Sequence, residues 1–123
     1  MGEKLTVAVL GASPNPTRYS NKAIRRLLEK GHEVIPVNPE YGTIEGLTSM
    51  PSLHAIACPV DTVTVYLNPL RVIPYIPEIV AMRPRRVIMN PGAEAECLEL
   101  ALDNAGILHL KACTLVLLST NQF

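Results

Sequence analysis

Val7-Ala8-Val9-Leu10-Gly11-Ala12-Ser13-Pro14-Asn15-Pro16, running on through Thr17-Arg18-Tyr19-Ser20 into an amphipathic segment, is the stretch that decides the fold. The unbroken apolar run reads as a strand over Leu5–Leu10 buried on both faces. Gly11 allows a sharp turn without a Cβ, and the small Ala12 and Ser13 keep that turn open. Ser20 or Asn21 is the expected N-cap of a helix over Lys22–Lys30, in which Ala23, Ile24, Leu27 and Leu28 share one face. A strand, a small-residue turn and a helix N-terminus together make an anion-binding geometry, because free N–H groups and the positive dipole end converge. The same connection also occurs in α/β proteins with nothing bound at it.

Outward from this unit the pattern repeats. Strands are expected at His32–Val37, Asp61–Tyr66, Arg86–Met89 and Leu108–Ala112, and a short helical turn at Pro51–Ile56. Asn68-Pro69 opens a helical stretch that Pro74 and Pro77 divide, its second piece ending near Met82. Glu94–Ala105 is helical, with Leu98, Ala101, Leu102 and Ala105 on one face and Gly106 at its end. The apolar tail Thr114–Thr120 fits either a helical turn on the sheet or a subunit contact. Alternating strands and helices imply an α/β fold: a Rossmann-like, doubly wound parallel sheet in one three-layer α/β/α domain over residues 1–123. Pro36 cannot donate to a ladder, so its strand needs a truncated outer neighbour, expected around Gly46-Leu47-Thr48. The dinucleotide-fold order then puts a short third strand outside the second and Asp61–Tyr66 beside the first; the flavodoxin-like order is the alternative.

Composition narrows the function. The formal net charge is zero, which gives no electrostatic reason for a nucleic-acid or membrane partner. The cluster Arg83, Arg85 and Arg86 falls at a helix-to-strand turn, where a solvated role suits it. Cys58, Cys97 and Cys113 are widely spaced, as are His32, His54 and His109, so neither a zinc site nor a disulfide framework is expected. The N-terminus enters a strand without a signal peptide, and the apolar run Leu115–Leu118 is far below the roughly 20 residues of a membrane span. A cytoplasmic location is expected.

Four Asn-Pro pairs, at 15–16, 38–39, 68–69 and 90–91, fall at the carboxyl ends of the expected strands. Proline pushes the preceding Asn toward an extended backbone and leaves its amide available, either for turn chemistry or for a ligand. Open α/β sheets bind ligands on that rim. The GxGxxG of nicotinamide and flavin sites is absent, Asn38 stands where an acidic residue would hold an adenosine ribose, and there is no P-loop. Arg18 and Lys22 flank the first turn and could receive phosphate.

Val7–Pro14 with Arg18 and Ser20, then Val34-Ile35-Pro36-Val37-Asn38-Pro39, then Gly46-Leu47 with Pro51-Ser52-Leu53 form one pattern over nearly the whole chain. In that pattern the chain resembles the small CoA-binding domain proteins, similar to the N-terminal domain of the succinyl-CoA synthetase α subunit. The resemblance implies a site for CoA or acyl-CoA. Gly11, Ala12, Ser13, Arg18, Asn38 and Pro39 would lie near the phosphates and adenosine; Tyr66, Asn68, Asn90 and Gly92 would face the rest of the ligand. Ser20 and Lys22 complete the candidate set. Met89-Asn90 departs from the aromatic and Gln that many members carry before that glycine. No histidine here corresponds to the synthetase phosphohistidine. With no nucleophile beside a base and no catalytic carboxylate pair, the reading favours a non-catalytic binder. Its rivals are an NAD(P)-type oxidoreductase, a subunit of a split acyl-CoA ligase and a ligand-free interaction module. A homo-oligomer or a partner subunit stays open.

Overall fold

The computed structural model describes residues 3–123. The elements run β1 (Thr6–Leu10), α1 (Tyr19–Glu29), β2 (Glu33–Val37), β3 (Thr43–Ile44), β4 (Leu47–Thr48), β5 (Thr62–Val65), α2 (Ile76–Met82), β6 (Arg86–Met89), α3 (Glu96–Ala105), β7 (Leu108–Lys111) and α4 (Thr114–Ser119). Short 3-10 turns at Leu53–Ala55 and Ile73–Tyr75 join them.

Five parallel strands form one sheet in the order β2-β1-β5-β6-β7. β5 lies beside β1, with Val7 opposite Thr62 and Leu10 opposite Val65, as expected from the sequence, a placement common to doubly wound Rossmann-like sheets. β1 is an interior strand and its side chains alternate between two cores. Val7 and Val9 pack with Ile24, Leu27 and Leu118 on the α1/α4 face. Ala8 and Leu10 pack with Ile79, Leu98 and Leu102 on the α2/α3 face. Each such fully buried aliphatic side chain stabilises the fold by about 1.5–3 kcal/mol before ordering costs, and the two-sided burial fixes where the carboxyl ends of the strands emerge.

The outer neighbour of β2 differs from the expectation. Gly46-Leu47-Thr48 does not pair with it; β3 and β4 fold on each other as an antiparallel hairpin. The neighbour is Met50, which forms a single parallel bridge with Val37. Met50 N–H donates to the Pro36 carbonyl at 2.9 Å, and Asn38 N–H donates to the Met50 carbonyl at 3.0 Å. A residue's N and C=O leave a strand on the same side, so the ring nitrogen of Pro36 also faces this edge, away from β1, and no ladder bond is lost.

Helix α1 also starts earlier than expected. Its N-cap is Arg18, with no side-chain cap, and Ser20 and Asn21 are buried in its first turn. Asn21 instead ties the turn to its surroundings: its Nδ2 donates to the Ser13 carbonyl at 2.9 Å and to Glu45 at 3.1 Å. The tail forms α4, which packs on α1.

Candidate functional site

The carboxyl ends of the strands open into a cleft of about 590 Å³. Its centre is the turn after β1. Gly11 sits at φ +89°, and a Cβ there would come within 2.9 Å of Leu67 Cδ2 and 3.2 Å of the Tyr66 carbonyl carbon. The turn is held from the other side by Gly11 and Ala12 N–H groups donating to the Val37 carbonyl. Only glycine lets the backbone pass between β2 and the end of β5 at this point.

Eight of the candidates from the sequence line this cleft: Gly11, Ala12, Ser13, Arg18, Ser20, Asn38, Tyr66 and Asn90. Lys22, Pro39, Asn68 and Gly92 are not among its walls. Lys22 lies on the neighbouring turn of α1, its Nζ 5.2 Å from the ring centre of Tyr19. Tyr19, Glu40, Tyr41, Leu67, Arg71, Pro91, Cys113 and Leu115 complete the lining and lay outside the candidate set from the sequence. Cys113 follows β7 and carried its thiol as well as its place on the rim; Leu115 carried only its position after a strand.

The Asn-Pro pairs turn out to be structural. Asn15 Oδ1 accepts from Thr17 N–H at 3.0 Å and from its hydroxyl at 2.8 Å. Asn38 Nδ2 donates to the Ala12 carbonyl at 2.8 Å while its Oδ1 accepts from Glu40 N–H at 2.8 Å. Asn68 Oδ1 accepts from Leu70 and Arg71 N–H. Asn90 is 1% exposed. Its Nδ2 donates to the Thr64 hydroxyl at 2.7 Å and the Val65 carbonyl at 2.9 Å; its Oδ1 accepts from Thr114 N–H at 2.8 Å. The amides left available on the sequence reading are therefore engaged in shaping the rim. Asn38 and Asn90 lock the first loop to β2 and α4 to β5 respectively.

What the cleft offers a ligand is charge and shape. Arg18 and Arg71 both line it, and neither guanidinium has an ion-pair or hydrogen-bond partner among the described residues. The first turn of α1, uncapped by any side chain, faces the same space through Arg18, Tyr19 and Ser20. Two guanidinium groups beside a helix N-terminus favour an anion. Glu40 is the carboxylate in the lining. Tyr66 forms part of the floor, its hydroxyl buried without a hydrogen-bond partner. Burial pushes its phenol up to about 12, the Thr64 and Thr114 hydroxyls nearby opposing that only in part, so it stays neutral and is no base at physiological pH. Among the described residues no cluster of His, Cys, Asp and Glu could hold a metal ion, and no helix is long and apolar enough to cross a membrane.

The family described as "CoA binding domain" matches residues 5–119. The chain belongs to the CoA-binding domain family. A member-like solved structure of an uncharacterized protein is 40% identical and superposes with a TM-score of 0.93, over 99% of this chain and 100% of that one. The uncharacterized protein YneT of Bacillus subtilis is 37% identical over 60 residues, which is 49% of this chain. The match spans 44% of YneT, under half of its length. Acetyl-coenzyme A synthetase 1 of Ca. Korarchaeum cryptofilum is similar over 87% of this chain and 25% of its own, with a TM-score of 0.74 at 23% identity. At that identity the likeness is one of fold. The CoA-binding family thus has here a Rossmann-like sheet whose carboxyl-end cleft carries two unpaired arginines.

Proposed function

We propose that this protein binds CoA or an acyl-CoA in the cleft at the carboxyl ends of β1, β2, β5 and β6, without catalysing a reaction on it. The observation that carries the reading is the pair Arg18 and Arg71, unpartnered among the described residues, beside the open first turn of α1. CoA brings a diphosphate and a ribose 3′-phosphate to such a site. Gly11, Ala12 and Ser13 line the close approach for the diphosphate, with Arg18 and Ser20 at the helix end. The turn at Asn38 would lie near the adenosine. Cys113 is the nucleophilic side chain in the lining, and no base stands beside it in a hydrogen bond.

Glu40 favours a second reading. A carboxylate just beyond β2 can accept hydrogen bonds from free ribose hydroxyls, as NAD presents them, and would repel a ribose phosphate. Calorimetric titration with CoA, dephospho-CoA and NAD separates the two. A charge-assisted hydrogen bond to the 3′-phosphate is worth about 1.5–3 kcal/mol, roughly a tenfold to hundredfold preference for CoA over dephospho-CoA. Arg18→Ala or Arg71→Ala should shrink that gap. Tighter binding of NAD than of CoA would move the protein to the oxidoreductase reading. Incubation with acetyl-CoA should release no free thiol; release that disappears in Cys113→Ala would show an enzyme instead.

A further inference from the structure

Beside the cleft, between α1 and α4, lies a second groove of about 540 Å³. Its walls are Leu115, Val116 and Ser119 of α4 and Lys22, Arg25, Arg26 and Glu29 of α1. Leu115 lines both the groove and the cleft. On the α1 side the two also meet, since Tyr19 lines the cleft and Lys22 of the groove sits over its ring. The groove is thus the continuation of the cleft past Leu115. Val116 is 54% exposed in it, an apolar side chain left to water. Arg25 is held by Asn21 and the Pro16 carbonyl, and Arg26 by Glu29, so both present their aliphatic stems to the groove with their heads fixed.

The cleft itself is chemically divided. At the β2 end stand Asn38, Glu40 and Tyr41, polar and aromatic groups suited to a nucleoside. Toward β5, β6 and β7 stand Leu67, Pro91, Cys113 and Leu115, with Tyr66, the already engaged Asn90 and, at the edge, Arg71, a mixed wall suited to the amides and methylenes of a pantetheine arm. An extended ligand laid along this gradient brings its sulfur end to Leu115, where the groove begins.

On the reading that the cleft holds CoA, we propose that the α1/α4 groove receives the acyl chain, and that the physiological ligand is a short- to medium-chain acyl-CoA rather than free CoA. From Leu115 to Ser119 the helix rises about 6 Å, enough to accompany several methylenes. Each fully buried methylene is worth about fourfold in affinity, and an open groove delivers part of that.

The experiment compares the dissociation constants of CoA, acetyl-CoA and hexanoyl-CoA by calorimetry, in the unaltered protein and in Val116→Glu and Ser119→Trp. These two positions line the groove and not the cleft. Hexanoyl-CoA should bind about tenfold more tightly than acetyl-CoA, since its four extra methylenes are each partly buried. Either variant should abolish that advantage while leaving the affinity for CoA unchanged; Ser119→Trp serves if Val116→Glu does not fold. Equal affinity for the three ligands would overturn the groove assignment and leave the CoA reading standing. So would a hexanoyl advantage that survives both variants. Failure of all three ligands to bind would overturn both.

Discussion

Arginines stand at both ends of the sheet, and the two ends use them in opposite ways. At the amino ends, Arg85 makes a 2.7 Å ion pair with Asp61, the residue leading into β5. Its neighbour Arg86, the first residue of β6, is 8% exposed, with Nε donating to the Thr62 hydroxyl at 2.9 Å. The Phe123 ring covers its guanidinium at 4.4 Å, and Nη2 is buried with no partner among the described residues. At the carboxyl ends, Arg18 and Arg71 are held by nothing comparable and face a cleft. A charge locked under an aromatic ring holds the fold together; a charge left open beside a glycine turn is available to a ligand. Stability and binding should therefore respond to different residues.

The largest expected effect breaks this division on purpose. Gly11 belongs to the cleft, yet Gly11→Val places a branched side chain at φ +89° and against Leu67 and the Tyr66 backbone. Both penalties act on the folded state, and the loss should exceed about 3 kcal/mol in urea denaturation. The Gly11 turn therefore tests the scaffold before it tests ligand affinity. A variant with native stability would mean that the β1 turn has room the structure does not show. Asn90→Ala comes next. It strands the Thr114 N–H in a buried region, removes the amide's bonds to the Thr64 hydroxyl and the Val65 carbonyl, and should cost about 2–3 kcal/mol. A loss below 1 kcal/mol would show that α4 is not tied to the sheet through this amide.

The contrast sharpens with the arginines themselves. Arg86→Ala removes the Thr62 hydrogen bond and the stacking on Phe123, an expected loss of about 1–2 kcal/mol. It is moderated because the guanidinium is incompletely paired where it is buried. Arg18→Ala and Arg71→Ala should change stability by less than about 0.5 kcal/mol while lowering CoA affinity. Equal destabilisation by all three substitutions would erase the distinction between the two ends.

Much of this architecture was legible in the chain. The period of the apolar runs located the five main strands, and Pro36 alone marked β2 as lacking a full outer neighbour. Met50 was not legible as that neighbour, because a single bridge leaves no periodic pattern; it follows from how the β3–β4 hairpin returns the chain. The Asn-Pro pairs show the same limit from another side. Asn38 and Asn90 were visible as rim residues, but their partners Ala12 and Thr64 lie 26 positions away in each case. Local spacing cannot show that the amides are already engaged. Arg71, Tyr41 and Leu115 reach the cleft only through the packing of loops after different strands. The Gly11 turn itself was readable because its pattern is contiguous: strand, glycine, small residues, helix.

The smallest expected effect concerns pH, and it belongs to the amino ends alone. His32 precedes β2, and its Nδ1 accepts the Leu5 N–H at 3.1 Å, which places the ring proton on Nε2 and leaves the neutral form the matched one. Burial first, and then the positive charge of Arg86, hold its pKa below the ordinary histidine value of 6.5, with Asp61 opposing. The unfolded chain therefore takes up a proton more readily than the folded one as the pH drops through 6.5. The contribution of His32 is fully present above that pH and is lost as the pH falls through the folded-state value. Urea midpoints measured between neutral pH and the onset of carboxylate titration should decline gently, and His32→Gln should flatten the decline. Asp61 adds a second fall at lower pH. Its carboxyl lies below the ordinary 3.8 because hydrogen bonds from Arg85 and Thr62, with the charges of Arg85 and Arg86, outweigh the largest single influence, burial, which acts upward. Its stabilisation is present above 3.8 and is lost as pH falls through the depressed value. A decline near neutrality that persists unchanged in His32→Gln would place the titrating group elsewhere and remove this asymmetry between the two ends of the sheet.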